Sequence, residues 1–223
     1  MASHDTVPPV TTGADRPLSP ARRLFSSLTW ACAIPVLFVL GAWLAQYPHG
    51  LIVVGVIVAL ATWAVAATLA GGVWHRAGAA VVVSCSGLAL TLFAGPGLYE
   101  LYMKTLGTPA SATVTKVEDR HNRRGADLFC TVVETAGEVK TYVLSEQQNC
   151  YDDVKALQRV TLRKDPLGLL KPRLPDGPDH PPLSVTAQIA AGLFVLTGAT
   201  MFYAGQRRRP ERRPAKTARP GGR

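Results

Sequence analysis

The chain has 223 residues, of which 48% are hydrophobic and only 17% charged, and it carries a formal net charge of +9. A soluble chain holds about a quarter charged residues. Here the deficit is confined to three blocks without Asp, Glu, Lys or Arg, residues 24–74, 77–99 and 183–206. That excludes an ordinary water-soluble globular protein. The fold class expected is membrane α-helical, with four transmembrane helices, plus a small all-β extracytoplasmic domain.

The charge is as local as the hydrophobicity. From Gly205 onward eight Lys/Arg stand against one Glu211, a balance of +7, whereas residues 100–182 carry twelve basic and twelve acidic residues. The basic character therefore belongs to a tail and not to the polar domain.

Taken in order, residues 1–23 are rich in Pro, Thr and Ser without periodicity, which predicts a disordered cytoplasmic N-terminus. The apolar stretch that follows is too long for a signal peptide and lacks an obvious small-residue cleavage site, so it reads as a retained anchor. One crossing of a hydrocarbon core of roughly 30 Å takes about 20 apolar residues. Residues 24–74 are long enough to cross twice, with Tyr47-Pro48-His49-Gly50 as the turn. The first span is expected at about 28–47, kinked at Pro35, and the second at 51–70. After His75-Arg76 a third span is expected at 79–98, loosened at its end by Gly95-Pro96-Gly97. The fourth, 183–204, runs into a basic cytoplasmic tail, 205–223. Arg16, Arg22 and Arg23, then Arg76, then the tail all fall on one side in a four-span chain. The positive-inside rule makes that side cytoplasmic and puts residues 100–182 outside, in a plasma membrane.

Within 100–182 the pattern is β. Strands are expected at 112–117, 128–135, 139–144 and 159–163, with a short edge strand at 169–174 limited by Pro172. Residues 121–127 and 136–138 read as turns, 146–158 as a polar stretch with a short helical turn, and Asp165-Pro166-Leu167-Gly168 as a turn. Five short strands suggest an OB-like or SH3-like curled sheet or small barrel, and 172–182 a Pro-rich strap back to the membrane. Such a domain is marginal alone. Cys130 and Cys150, the two cysteines of the polar segment, are placed in an oxidising compartment by this topology, so a disulfide is the economical reading. It would contribute about 3 kcal/mol in the chain-entropy model. Free thiols and a redox pair are the alternatives. Cys32 and Cys85 fall inside spans and read as small apolar residues.

The segment opening Ala110-Ser111-Ala112-Thr113-Val114-Thr115-Lys116-Val117 and closing Val160-Thr161-Leu162-Arg163-Lys164-Asp165-Pro166 resembles a widespread family of bacterial membrane proteins, the DUF3592-like group. There a short β-domain opening on an A-x-V-x-x-V strand is attached to hydrophobic helices and closes on a Tyr/Lys-Asp-Pro turn. The composition resembles that of an actinobacterial source. Lys164 stands here where an aromatic is commoner. The resemblance implies no catalytic residues, and none is carried over.

Candidate chemistry is sparse. His49 and His75 sit singly at opposite expected membrane faces and read as interfacial polar residues. His121, Asp119, Asp127, Asp152 and Asp153 share no fixed spacing and read as solvated loop charges. Ser84, Ser86 and Ser145 lack a nucleophile-elbow context. Cys130 and Cys150 are not spaced C-x-x-C. No ionisable residue lies inside a span, as transport would require. Small residues such as Ala67 and Gly71, or Ala187 and Ala191, suit helix packing. No catalytic residue, cofactor or metal ligand is expected. Arg207, Arg208, Arg209, Arg212 and Arg213 form a topology anchor. Each is worth about 1 kcal/mol against an anionic leaflet. The partners expected are the lipid bilayer, anionic headgroups at this tail, and a membrane or envelope protein, with no nucleic acid. The function expected is non-enzymatic: display of the β-domain for binding or envelope assembly. The alternatives are an envelope thiol-disulfide enzyme and an accessory subunit of a transporter.

Overall fold

A computed structural model describes residues 20–48, 50–120, 128–135, 139–151, 153–176 and 185–207. The helices are α1 (Pro20–Leu44), α2 (Leu51–Ala67), α3 (Ala77–Leu106) and α4 (Val185–Gln206). The strands are β1 (Thr108–Asp119), β2 (Leu128–Glu134), β3 (Thr141–Ser145) and β4 (Arg159–Lys164). All four helices are long and apolar enough to cross a membrane, α2 together with its continuation to Val73. Only 11–33% of their most apolar windows is buried within the protein.

The helices meet at small residues. A Cβ on Gly55 of α2 would come within 2.6 Å of the Gly41 carbonyl oxygen of α1, and one on Gly198 of α4 within 2.9 Å of Ala31 O. The Phe38 ring lies against Gly87 of α3. The bundle core is built from Ile34, Phe38, Trp74, Val83, Leu90 and Met201. Its one buried polar pair across two helices, among the described residues, is Thr197 Oγ1 donating to Ser86 Oγ at 2.9 Å. Of the expected small-residue contacts, Gly71 lies against Ala80 and Ala187 against Gly97.

Several boundaries differ from expectation. Helix α1 begins at Pro20, so residues 20–23 belong to it and not to the segment expected to be disordered, of which residues 1–19 lie outside the described residues. Proline suits a first helical position because its missing N–H would have no partner there. Helix α2 does not stop at residue 70; it widens into a π-helical turn, Thr68–Val73, in which Trp74 N bonds Leu69 O at 2.9 Å. The wider turn carries Trp74 into the bundle core. Helix α3 runs through Gly95-Pro96-Gly97 without a break. Those glycines serve close packing: Gly95 meets Gln46 and Ala42 of the first hairpin, and Gly97 meets Ala187. At 30 residues α3 is about 45 Å long. A span of roughly 30 Å needs only about 20 residues. The last third of α3 is therefore surplus, and it reaches into the β-domain.

The sheet is antiparallel, in the order β3-β2-β1-β4. Long β1 pairs with β2 through residues 112–119 and with β4 through 108–113. A bulge between Val114 and Lys116 bends it. The sheet does not close into a barrel. Edge strands β3 and β4 lie on opposite sides, and four strands are too few to wrap round and meet. The fifth strand expected at 169–174 is reduced to one bridge, Arg163 with Arg173. Pro172 and Pro175 lack the N–H groups a longer ladder needs. Only the first part of the expected strap, 172–176, is described; there Leu174 N bonds Gln148 O at 3.0 Å. The expected turns 121–127 and 136–138 lie outside the described residues.

Candidate functional site

The surplus end of α3 and the turn after β4 form a lock between bundle and sheet. Asp165 accepts four hydrogen bonds. Tyr102 Oη of α3 donates to Oδ1 at 2.7 Å and Leu167 N to Oδ1 at 3.0 Å. Leu169 N and Leu170 N donate to Oδ2 at 2.9 and 3.0 Å. Gly168, at φ +68°, lets the turn close on the Asp165 carbonyl. Burial opposes the Asp165 charge, but the Tyr102 hydroxyl and the three N–H groups outweigh it and hold the carboxyl below the ordinary carboxylate range.

Around the lock lies a small apolar cluster of Tyr99, Met103 and Leu170, with Trp43 and Tyr47 packed against it. Tyr99 Oη donates to Lys171 O at 2.8 Å. Trp43 meets Tyr47 and Tyr102 edge-on, at ring-centroid distances of 5.6 and 5.5 Å. A charged rim follows. Lys104 bridges Glu100 at 2.6 Å and Asp176 at 2.7 Å, and Arg173 meets Asp176 at 2.7 Å. A second bond ties the sheet to the first helical hairpin, Gln147 Nε2 to Gln46 Oε1 at 3.0 Å. The sheet is thus held at a fixed place on one end of the bundle.

One face of the sheet is dry. Val114, Cys130, Val132, Leu144, Cys150, Leu162 and Leu174 form its core. Cys130 of β2 and Cys150 form a disulfide with Cα atoms 5.8 Å apart. Both cysteines are fully buried. A capping box sets up the approach to Cys150: Gln148 Oε1 accepts from Ser145 N and Ser145 Oγ. Asn149 then takes a left-handed backbone, and its Nδ2 donates to Pro175 O at 2.7 Å. Lys164 pairs with buried Glu134 at 2.9 Å.

The other face is open. The register sets Arg159, Thr113, Val133 and Thr141 in one row across the four strands, with Thr131 beside Val143 in the next. Val143 and Thr141 are exposed, and Thr131, Val133 and Thr113 half-buried. Residues Ser111, Thr113, Thr135, Arg159 and Thr161 line a shallow depression of about 350 Å³ there. The face is rich in hydroxyls and carries few charges. It has contact chemistry and no nucleophile–base pair.

The opposite end of the bundle is basic. Arg76 Nε donates to Arg207 O at 2.9 Å, and the Arg207 guanidinium lies 5.3 Å from the Tyr203 ring centre. Ser27 of α1 packs on Gly205 of α4, which brings Arg22 and Arg23 to the same end. Of the arginines expected to anchor the chain, Arg207 is placed there; Arg208, Arg209, Arg212 and Arg213 lie outside the described residues. So do His49, His121, Asp127 and Asp152. Among the described residues no three His, Cys, Asp or Glu side chains converge on a point where a metal could sit. Ser86 bonds Thr197, and Ser145 caps a 3₁₀ turn. Cys32 and Cys85 are unpaired and face outward from the bundle.

No protein-family model, curated protein or solved structure matches the chain. The site thus rests on its own geometry.

Sequence reading missed the Tyr102–Asp165 lock. Asp165-Pro166 was visible as a turn and Tyr102 as an aromatic near a helix end. Their pairing across 63 residues leaves no local signature. Glu134 was missed as well. Its partner Lys164 lies 30 residues further along the chain, so this pair too leaves no local signature.

Proposed function

We propose that this is a multi-pass plasma-membrane protein with cytoplasmic termini, which holds a small disulfide-closed sheet at the outer face as a non-enzymatic binding or assembly module. The observation that carries this is the sorting of charge between the two ends. Arg22, Arg23, Arg76 and Arg207 gather at one end of the bundle and the charge-balanced sheet stands at the other. The positive-inside rule assigns the arginine end to the cytoplasm. The outward helix faces carry large apolar side chains such as Leu60, Leu92 and Val195, which water would not tolerate together but lipid does. A disulfide agrees with an oxidising compartment for the sheet.

The burial of both cysteines speaks against a thiol-disulfide enzyme. An exchange partner must reach a sulfur, and neither is accessible without opening the core. The rigid junction favours a module presented at a set height above the membrane over one on a flexible tether. The exposed hydroxyl-rich face is the surface we assign to the partner, a membrane or envelope protein.

The test is a reporter cysteine at Leu167, which is exposed beside the lock. In intact cells a membrane-impermeant maleimide should label Leu167→Cys fully, and a cysteine replacing Arg207 only after lysis. Labelling of Arg207→Cys alone in intact cells would invert the topology and end this reading.

A further inference from the structure

The basic end of the bundle holds a cavity that the proposed function does not use. It lies between the start of α3 and the end of α4 and has a volume of about 600 Å³, a size that suits a small-molecule ligand. Its two halves differ chemically. His75 and Arg76 line it at the turn, where the bundle ends. Ala79 and Val82, one and two helical turns further in, face Thr200 and Tyr203 of α4 and give it an apolar floor. Gly78 leaves its centre open, since a Cβ there meets no atom within 4 Å.

The charge at this end has one sign. Among the described residues it carries Arg22, Arg23, Arg76 and Arg207 and no carboxylate. Arg76 is fixed at the rim by its Nε bond to Arg207 O. The first N–H groups of α3 receive no side-chain cap, so the helix adds its positive end to the same mouth. His75 sits there at φ +54°, with Nδ1 3.2 Å from Val73 O. Cationic groups over a slot of aliphatic and aromatic carbon match one ligand chemistry, a phosphate diester carrying a long hydrocarbon chain.

We propose that this cavity holds one anionic phospholipid of the cytoplasmic leaflet. The phosphate sits between His75, Arg76 and the start of α3, and an acyl chain runs down past Ala79 and Val82 to Thr200 and Tyr203. The site rests on the membrane reading above. It differs from attraction of the basic tail to an anionic surface, which is diffuse and needs no cavity.

The experiment uses the full chain reconstituted in phosphatidylcholine nanodiscs doped with phosphatidylglycerol, with bound lipid counted by native mass spectrometry. The wild-type chain should keep one phosphatidylglycerol in preference to phosphatidylcholine. Arg76→Gln removes the fixed cation, and Gly78→Leu fills the cavity while improving helix propensity, so loss of folding would not explain its effect. Each should lower retention roughly tenfold, as for the loss of one good contact. Arg212→Gln with Arg213→Gln should leave the bound lipid in place. Retention by Gly78→Leu at the wild-type level would put the lipid on the tail and overturn the site. Displacement by inorganic phosphate alone would make it a free-anion site and overturn the lipid. A chain that never enters the disc would remove the membrane reading, and the lipid site with it.

Discussion

The helices touch one another through Gly55, Gly87 and Gly198 and turn Leu60, Leu92 and Val195 outward. The sheet buries Val114, Val132, Leu144 and Leu162, as the bundle buries Phe38 and Trp74, but it turns Thr141, Lys116 and Arg159 outward. In water burial of apolar surface drives packing, so large side chains belong in the core. In lipid that force is absent, and helices associate through close backbone approach and a few polar bonds. One chain therefore shows two packing rules side by side, and the boundary between them falls near Tyr99 and Tyr102. On the membrane reading proposed above, what separates the two regions is the surrounding medium.

The largest expected difference comes from placing the same charge on the outer surface of each region. Leu60 on α2 is 55% exposed and Val143 on β3 is 47% exposed. Leu60→Arg should cost about 3 kcal/mol of membrane insertion. Val143→Arg should stay within about 0.5 kcal/mol in a thermal melt of the sheet. Equal effects at the two positions, measured by an insertion assay and calorimetry, would dissolve the distinction.

Removing the Cys130–Cys150 disulfide with paired alanines should destabilise the sheet by about 3 kcal/mol. The helical circular dichroism should hold, because the bundle contains no bridge. Collapse of the helix signal along with the sheet would mean that the regions fold as one.

Next comes the junction. Asp165→Asn should cost about 2 kcal/mol, since the charged acceptor of four donors becomes a neutral one. The carboxyl is held below its usual range in the folded state. Its contribution is thus fully present above the ordinary carboxylate pKa and lost as pH falls through the lowered value. The wild-type sheet should weaken on acidification through that window, and the Asn variant should show less of this loss. An identical acid limb in both would remove Asp165 as its source.

These contrasts also mark what the sequence could and could not convey. Uncharged runs such as 77–99 announce helices because any charge in them would be visible. Cys130 and Cys150 could be paired because topology put both in one compartment. The core of β4 was legible from alternation, since in Arg159-Val160-Thr161-Leu162-Arg163 the apolar residues are the less exposed ones, whereas Thr131-Val132-Val133-Glu134 has no such pattern and buries a carboxylate. The passage of α3 through Gly95-Pro96-Gly97 was not. Gly and Pro punctuate helices in water, yet in this bundle the glycines answer to Gln46 and Ala187 on other helices. The π turn before Trp74 is set in the same way, by a core that the local sequence does not describe. The barrel expected from five strands failed at Pro172 and Pro175, where a ladder runs out of donors.

The smallest expected effect concerns the polar glue of the bundle. Thr197→Val deletes the bond to Ser86 while keeping the shape, and it should cost about 0.6 kcal/mol. An unfolding assay in mild detergent measures this. A loss several times larger would mean that the helices depend on hydrogen bonding more than on close approach.

The contrast between two media is tested most directly by fractionation. After carbonate washing of cell membranes, the full chain should remain in the pellet and come out only with detergent. If it is released by the wash and stays monomeric in plain buffer, Leu60, Leu92 and Val195 are facing water, and a lipid-facing bundle is contradicted.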